Sequence, residues 1–413
     1  MTHSSSTQAL QPYLVFMLAA LSALTPLAID IYLAAIPTIA DQLQVPFHDV
    51  EISISLYMIS FSVGQLLGGP FSDYIGRRAS VRIGLGIFVI ASTLTLAVPT
   101  LEMLWLSRVL QAFGGGLASV NAAAIIRDVS RGKEGAANLV RVVQVMMLAP
   151  LIAPLLGMII LKLVNWQAIF GFLLLYSAAL LVLFHRQQQE TRQTQVSGNL
   201  FQRYAVVLKE RRSWRYIATV CTAYASLLTC VTISPGVYMG HFGISEVSFP
   251  LYFALNVFSL LAASRLNLRM LKQHEPGVLI EYGQTAQVVL GLLLLTYVLV
   301  SNAPSFWIVM PGLTLMMGCH GLLISNSTAS TTEYFPNHSA TATALLGSLG
   351  FVTGGLTGWA TSLITDGSSV ALVAVMSAAA MSGILLRRVL PKGADSVEQP
   401  ELKQAESAQS KSG

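Results

Sequence analysis

Twelve stretches of about 20 apolar residues run through this chain, each long enough to cross roughly 30 Å of hydrocarbon as a helix. They fall at 14–36, 51–71, 80–98, 101–126, 139–163, 166–185, 214–234, 248–268, 278–300, 304–326, 339–363 and 368–390. Threaded alternately from an inside N-terminus, they sort the 24 Lys and Arg residues onto one face, with two exceptions. That face takes Arg77, Arg78 and Arg82; then Arg127, Arg131, Lys133 and Arg141; then seven from Arg186 to Arg215. Arg265, Arg269 and Lys272 follow, with Arg387, Arg388, Lys392, Lys403 and Lys411 at the end. The opposite face receives only Lys162, among acids such as Asp41, Asp49, Glu51, Glu102, Glu246 and Asp366. Basic residues mark the cytoplasmic side of membrane proteins, so both termini are expected inside. Two charges remain deep within spans, Asp30 and Arg108.

Composition excludes the soluble classes. Charged residues make up 10% of the chain, where a soluble domain carries roughly 25%. A net charge of +5 raises the question of nucleic acid. The positive charge, however, is spread over short loops flanking apolar spans, where anionic lipid headgroups lie. No nucleic-acid partner is expected. Cys221, Cys230 and Cys319 lie in apolar stretches without metal-ligand spacing and read as small core residues. The N-terminal segment has no basic region and no small-residue cleavage site, so span 1 is expected to be retained.

The fold class expected is an all-α membrane protein of twelve transmembrane helices in two six-helix halves. Residues 1–13 form an N-terminal segment and 14–186 the first half. The polar and basic stretch 187–213 is a cytoplasmic linker, 214–392 the second half, and 393–413 a tail with almost no apolar residues, expected to be disordered. Two such halves joined by a linker suggest a duplicated transporter with its site at the midplane between them. Span 11 carries Gly347, Gly350, Gly354, Gly355 and Gly358, a spacing that permits close packing or sliding.

Three motifs stand out. The loop after span 2 reads Gly69-Pro-Phe-Ser-Asp73-Tyr-Ile-Gly76-Arg77-Arg78, in which glycines allow tight turns and Asp73 can accept hydrogen bonds from a helix N-terminus or the arginines. Span 4 reads Arg108-Val-Leu-Gln111-Ala-Phe-Gly114-Gly-Gly, and span 5 reads Ala149-Pro150-Leu-Ile-Ala153-Pro154-Leu-Leu-Gly157. The first resembles the signature loop of the major facilitator superfamily. The other two resemble its proton-antiporter motifs, with Ala112 and Ala153 where glycine is usual. With Leu27-Ala-Ile-Asp30-Ile-Tyr32 in span 1, the chain resembles the bicyclomycin/chloramphenicol-resistance branch of the twelve-span drug/proton antiporters. The resemblance implies that Asp73, Gly76 and Arg77 belong to a latch of the cytoplasmic gate.

Depth brings Asp30 and Arg108 together independently. With span 1 ending near Ile36, Asp30 lies about 9 Å below the outer surface, and Arg108 about 10 Å below it, at 1.5 Å per residue. An unpaired charge there costs at least about 2.5–3.5 kcal/mol, so the two are expected to pair or face water. A structural ion pair is the alternative to a proton-coupling pair; intramembrane acids usually mark ion paths, which favours coupling. Gln111, Tyr57, Gln65, Tyr224 and Asn256 are candidates to line a substrate cavity, with helix–helix hydrogen bonds as the competing role. His320 could relay protons, though a lone histidine in a span more often packs.

No phosphate-binding Gly-Lys-Ser/Thr loop, catalytic triad or metal-ligand cluster appears, so no cofactor and no enzymatic activity are expected. Transport would draw on an ion gradient or be passive. The function implied is proton-coupled efflux of small, largely apolar xenobiotics across the bacterial inner membrane, by a monomer. Carriage of a metabolite such as an amino acid, sugar or siderophore is the alternative, and the scarcity of polar residues in the spans weighs against it.

Overall fold

A backbone in hydrocarbon must satisfy its own hydrogen bonds, and helices do so within one segment. The computed structural model describes residues 12–130, 132–187, 190–191, 200–335 and 338–391, and among them the regular structure is helical throughout. The remaining linker residues, the first eleven residues and the tail lie outside the described residues. The helices are α1 (Pro12–Asp30), α2 (Ile36–Leu43), α3 (Phe47–Ile75), α4 (Arg77–Ala97), α5 (Leu101–Val129), α6 (Gly132–Leu163) and α7 (Gln167–Gln187). After the linker come α8 (Leu200–Lys209), α9 (Trp214–Pro235), α10 (Phe249–Met270), α11 (Pro276–Val300), α12 (Phe306–Glu333), α13 (Ser339–Ile364) and α14 (Ser369–Val389). Eleven segments are long and apolar enough to cross a membrane, and the glycine- and threonine-rich α13 supplies the twelfth crossing.

The two halves repeat one packing plan. In the first, α5 packs on α3 and α4, α4 on α7, and α1 on α6; in the second, α12 packs on α10 and α11, α11 on α14, and α9 on α13. The halves meet along two seams, α3 with α13 and α6 with α10. The glycine row of α13 serves both this first seam and the contact with α9 inside the second half. Gly350 lies against Tyr224, Gly354 against Leu228, Gly355 against Ser55 and Ile59, and Gly358 between Ser55 and Thr232.

The ends of the seams differ. On the outer face, away from the basic loops, Glu246 of the second half accepts from Thr38 Oγ1 at 2.5 Å and from Lys162 Nζ at 2.8 Å. On the basic, inner face, α6 buries only Asn138 and Val142 between Ala137 and Leu148, and α10 buries only Asn267 between Val257 and Met270. Helices buried along so narrow a stripe have lost their partner across the seam. The α6·α10 seam is closed outside and parted inside.

Three local features depart from the sequence reading. Span 1 does not end near Ile36. It breaks at Asp30, passes through a short 3-10 turn, Leu33–Ala35, and continues as α2 to Leu43. Pro37 stands in the first turn of α2, where its missing N–H is tolerated. The seventh crossing likewise runs on through a π-helical turn, Gly236–His241. The linker contains the helix α8, whose Val207 packs with Phe335, Ala342 and Leu345, while Tyr204 donates to Leu66 O at 3.3 Å. It ties the inner end of α3 to that of α13.

Candidate functional site

The break in the first crossing is created by a close approach. A Cβ built on Gly157 of α6 would stand 1.5 Å from Ile31 O, so only glycine lets this carbonyl sit against α6. The Pro154–Gly157 motif of span 5 thus serves the residue next to Asp30. Asp30 ends α1, is 5% exposed, and has no hydrogen bond or ion pair from its carboxylate. Its oxygens are nearly but not fully sealed.

Arg108 lies elsewhere in the same region. It is fully buried, with its guanidinium carbon 4.5 Å from the Tyr32 ring centroid and 4.2 Å from that of Tyr57. Nη1 donates to Gln111 Oε1 at 3.1 Å, and Gln111 Nε2 donates to Ser92 Oγ at 2.9 Å on α4. Nε and Nη2 have no acceptor. The expected contact with Asp30 is therefore not made. The extra crossing residues from Pro37 to Leu43 set Asp30 deeper than the sequence placed it, and Arg108 is level with Tyr32, beyond the break. Two aromatic faces supply part of what a carboxylate would have given: a desolvated cation over a ring gains about 2 kcal/mol or more.

The cavity candidates divide. Tyr57 and Gln111 are buried partners of Arg108, and the Tyr57 hydroxyl has no acceptor or donor. Asn256 accepts from Thr314 Oγ1 at 2.6 Å inside the second half, the helix–helix role. Gln65 Oε1 accepts from Ser348 Oγ at 3.1 Å across the α3·α13 seam. Tyr224 lies tilted against Phe351 at 5.6 Å, and Phe351 meets Phe61 of the first half edge-on at 4.9 Å. These aromatic rings span the seam at mid-depth. The sequence reading passed over Phe61 and Phe351, because apolar rings in a span carry no signal separating cavity from lipid. His320 is buried in the second half, with Nε2 3.0 Å from Gln287 Nε2 and Nδ1 3.0 Å from Met317 O. Both ring nitrogens are occupied by neutral partners.

At the inner end, Arg77 is the hub. Its Nη1 donates to Asp73 Oδ1 at 2.6 Å and its Nε to Asp128 Oδ2 at 3.1 Å. Glu190, beyond α7, accepts from the backbone N–H groups of Arg77 and Arg78 at 3.0 and 3.2 Å, capping the positive end of α4. Gly76, with φ of +101°, makes the turn, and a Cβ there would stand 2.5 Å from Glu190 Oε2. The structure thus joins Asp73, Gly76 and Arg77 as the sequence grouped them, and adds Asp128 and Glu190. In the second half the loop lacks the acid, and Asn267 instead pairs with Asn326, whose Nδ2 donates at 2.7 Å.

Two six-helix halves with one packing plan, meeting along the α3·α13 and α6·α10 seams, with charged groups buried within the crossings, define a multi-pass membrane transporter. The chain belongs to the Major Facilitator Superfamily, whose profile matches residues 18–358. It is 26% identical to a bicyclomycin resistance protein homolog of Haemophilus influenzae, over 83% of this chain and 87% of that protein. It is 31% identical to a chloramphenicol resistance protein of Pseudomonas aeruginosa over 64% of both chains. Among solved structures it superposes on a D-xylose-proton symporter with a TM-score of 0.71 at 13% identity, covering 92% of this chain and 97% of that one. That likeness is one of fold.

Proposed function

We propose that this transporter exports small, largely apolar xenobiotics across the bacterial inner membrane in exchange for protons, as a monomer with both termini cytoplasmic. The observation that carries the reading is the carboxylate of Asp30, buried within the first crossing, without a partner, at a helix break. The names of the two resistance proteins supply the substrate class, and the aromatic group of Phe61, Phe351 and Tyr224 at the seam suits an apolar ligand.

In this reading Asp30 takes a proton from outside and yields it inside as substrate binds. Arg108 fixes the local field and holds Tyr32 and Tyr57 in place around the break. The halves rock about the fixed site. The Arg77 hub and α8 hold the inner ends, and Glu246 the outer ends. One charge moving through about 150 mV releases roughly 3.5 kcal/mol, enough for a gradient of a few hundredfold.

The test has two parts. An antibiotic panel in a pump-deleted host identifies the substrate, and proton release on its addition is then followed in inverted membrane vesicles. Wild type should release protons, and Asp30→Asn, which keeps the shape but cannot titrate near neutrality, should not. Equal release from both would place coupling elsewhere; protection by no xenobiotic would remove the substrate class.

A further inference from the structure

Glu51 stands near the outer end of α3, where sequence reads it as a loop-facing acid. In the structure it is 2% exposed and lies in the seam between the halves. Its Oε1 accepts from the backbone N–H of Gly236 at 3.0 Å, the first residue of the π turn at the end of the seventh crossing. A Cβ on Gly236 would stand 2.4 Å from the same oxygen, so glycine admits the carboxylate. Among the described residues no Lys or Arg lies within ion-pairing distance of it; Lys162 is spent on Glu246. The carboxylate faces a cavity of about 450 Å³ on the outer side, lined also by His48, His241 and Asp366.

The geometry points to Glu51 as a second proton-binding group of the carrier, loaded when the outer gate closes and unloaded through the outer cavity when it opens. A carboxylate drawn between two halves with one backbone donor and no cation is costly as an anion. In the open gate the same group would stand in water, free to lose its proton. Closure of the outer gate therefore takes up one proton at Glu51, and acid outside favours closure.

The surroundings on the inward side are polar as well. On its own helix, Ser55 lies one turn deeper, and Ser55, Thr232 and Ser234 have buried hydroxyls without partners. Tyr32 OH shares a 2.7 Å hydrogen bond with Ser53, and its ring faces Arg108. The other titratable groups near it are His48 and Asp49 on α3, 3.5 Å apart, His241 on the π turn and Asp366 between α13 and α14. Asp366 is held below the usual carboxylate range by hydrogen bonds from Ser368.

The inference rests on the proton-coupled reading, and its test separates the two. Spin labels at Gln44→Cys and Val247→Cys, on the outer ends of opposite halves in a cysteine-free chain, report the outer gate by their distance. All samples carry Asp30→Asn, so the coupling site of that reading is silent. As pH rises the closed, short-distance population should fall, by up to about tenfold per pH unit for one linked proton. Glu51→Gln keeps the acceptor for Gly236 N–H but cannot titrate, and should abolish the fall, while His48→Gln/His241→Gln should retain it. Should E51Q not reach the membrane, Gly236→Ala, which displaces the carboxylate, should abolish the fall in its place. A pH response that persists in E51Q, or one lost in the double histidine variant but not in E51Q, overturns the assignment.

Discussion

Arg108 carries its charge into a site with one hydrogen-bond acceptor and two aromatic rings. A planar guanidinium fits between two rings; an ammonium is a compact point charge that wants three acceptors. Arg108→Lys should therefore destabilise the protein by about 2 kcal/mol, the order of one desolvated cation–ring contact. Thermal unfolding in detergent measures this, and an unchanged midpoint would show that the rings contribute nothing. Asp30→Asn is expected to behave oppositely: a normal midpoint, with substrate-triggered proton release lost and energy-independent exchange retained. Both residues were legible in the sequence because a charge in a span must be explained. Their separation was not, since depth counted along one continuous helix cannot see a break. Glu51 was illegible for a related reason. An acid at the very first residue of the span 51–71 reads as part of the loop, and only the row Glu51, Ser55, Ile59, Ser62, Leu66 on one helix face hints that it turns toward another helix. In the structure Ser55 and Ile59 meet Gly355, and Ser62 donates to Ser348 O at 2.8 Å, across the same seam.

Elements follow the same division. The twelve crossings, the two halves and the loop around Asp73 could be read from hydropathy, charge and motif, because the bilayer imposes length and sidedness on every span. The 3-10 turn after Asp30, the π turn after Pro235 and the helix α8 could not, since each depends on what packs against it. The break at Ile31 is the clearest case. Gly157→Ala would force α6 and the break apart, and overpacking of this kind costs about 1–3 kcal/mol. Because the strain falls beside Asp30, transport should drop further than the unfolding midpoint implies, which paired rate and melting measurements would reveal. Equal losses would reduce Gly157 to a packing residue. In α8, Val207 is buried among Phe335, Ala342 and Leu345. Val207→Asp should free the helix from α13 and slow transport without lowering the amount in the membrane, as immunoblots and rates would report; an unchanged rate would remove α8 from the gate.

For the whole molecule, the two ends of the seams should act against each other. The outer end is held by Glu246 with Thr38 and Lys162; at the inner end α8 bridges α3 and α13, while the Arg77 hub braces α3, α4 and α5 within the first half. Lys162 is half exposed, and such pairs contribute about 0–1 kcal/mol, so Lys162→Gln should shift the population toward an open outer gate by no more than about fivefold. Asp73 accepts a charge-assisted bond from the buried Arg77, worth about 1.5–3 kcal/mol, so Asp73→Asn should shift the inner equilibrium about tenfold or more and slow transport accordingly. Single cysteines read the direction. With a thiol reagent that cannot cross the membrane, Asn302→Cys should label in intact cells and Lys209→Cys only after the cells are opened, which also fixes the orientation. Labels on the two outer ends, at Gln44 and Val247, should move apart in Lys162→Gln. In Asp73→Asn they should stay together, because its loosened contacts lie at the inner end. If Asp73→Asn separates the outer labels as far as Lys162→Gln does, the two ends are not opposed, and a rigid rocking of halves is the wrong description of this carrier.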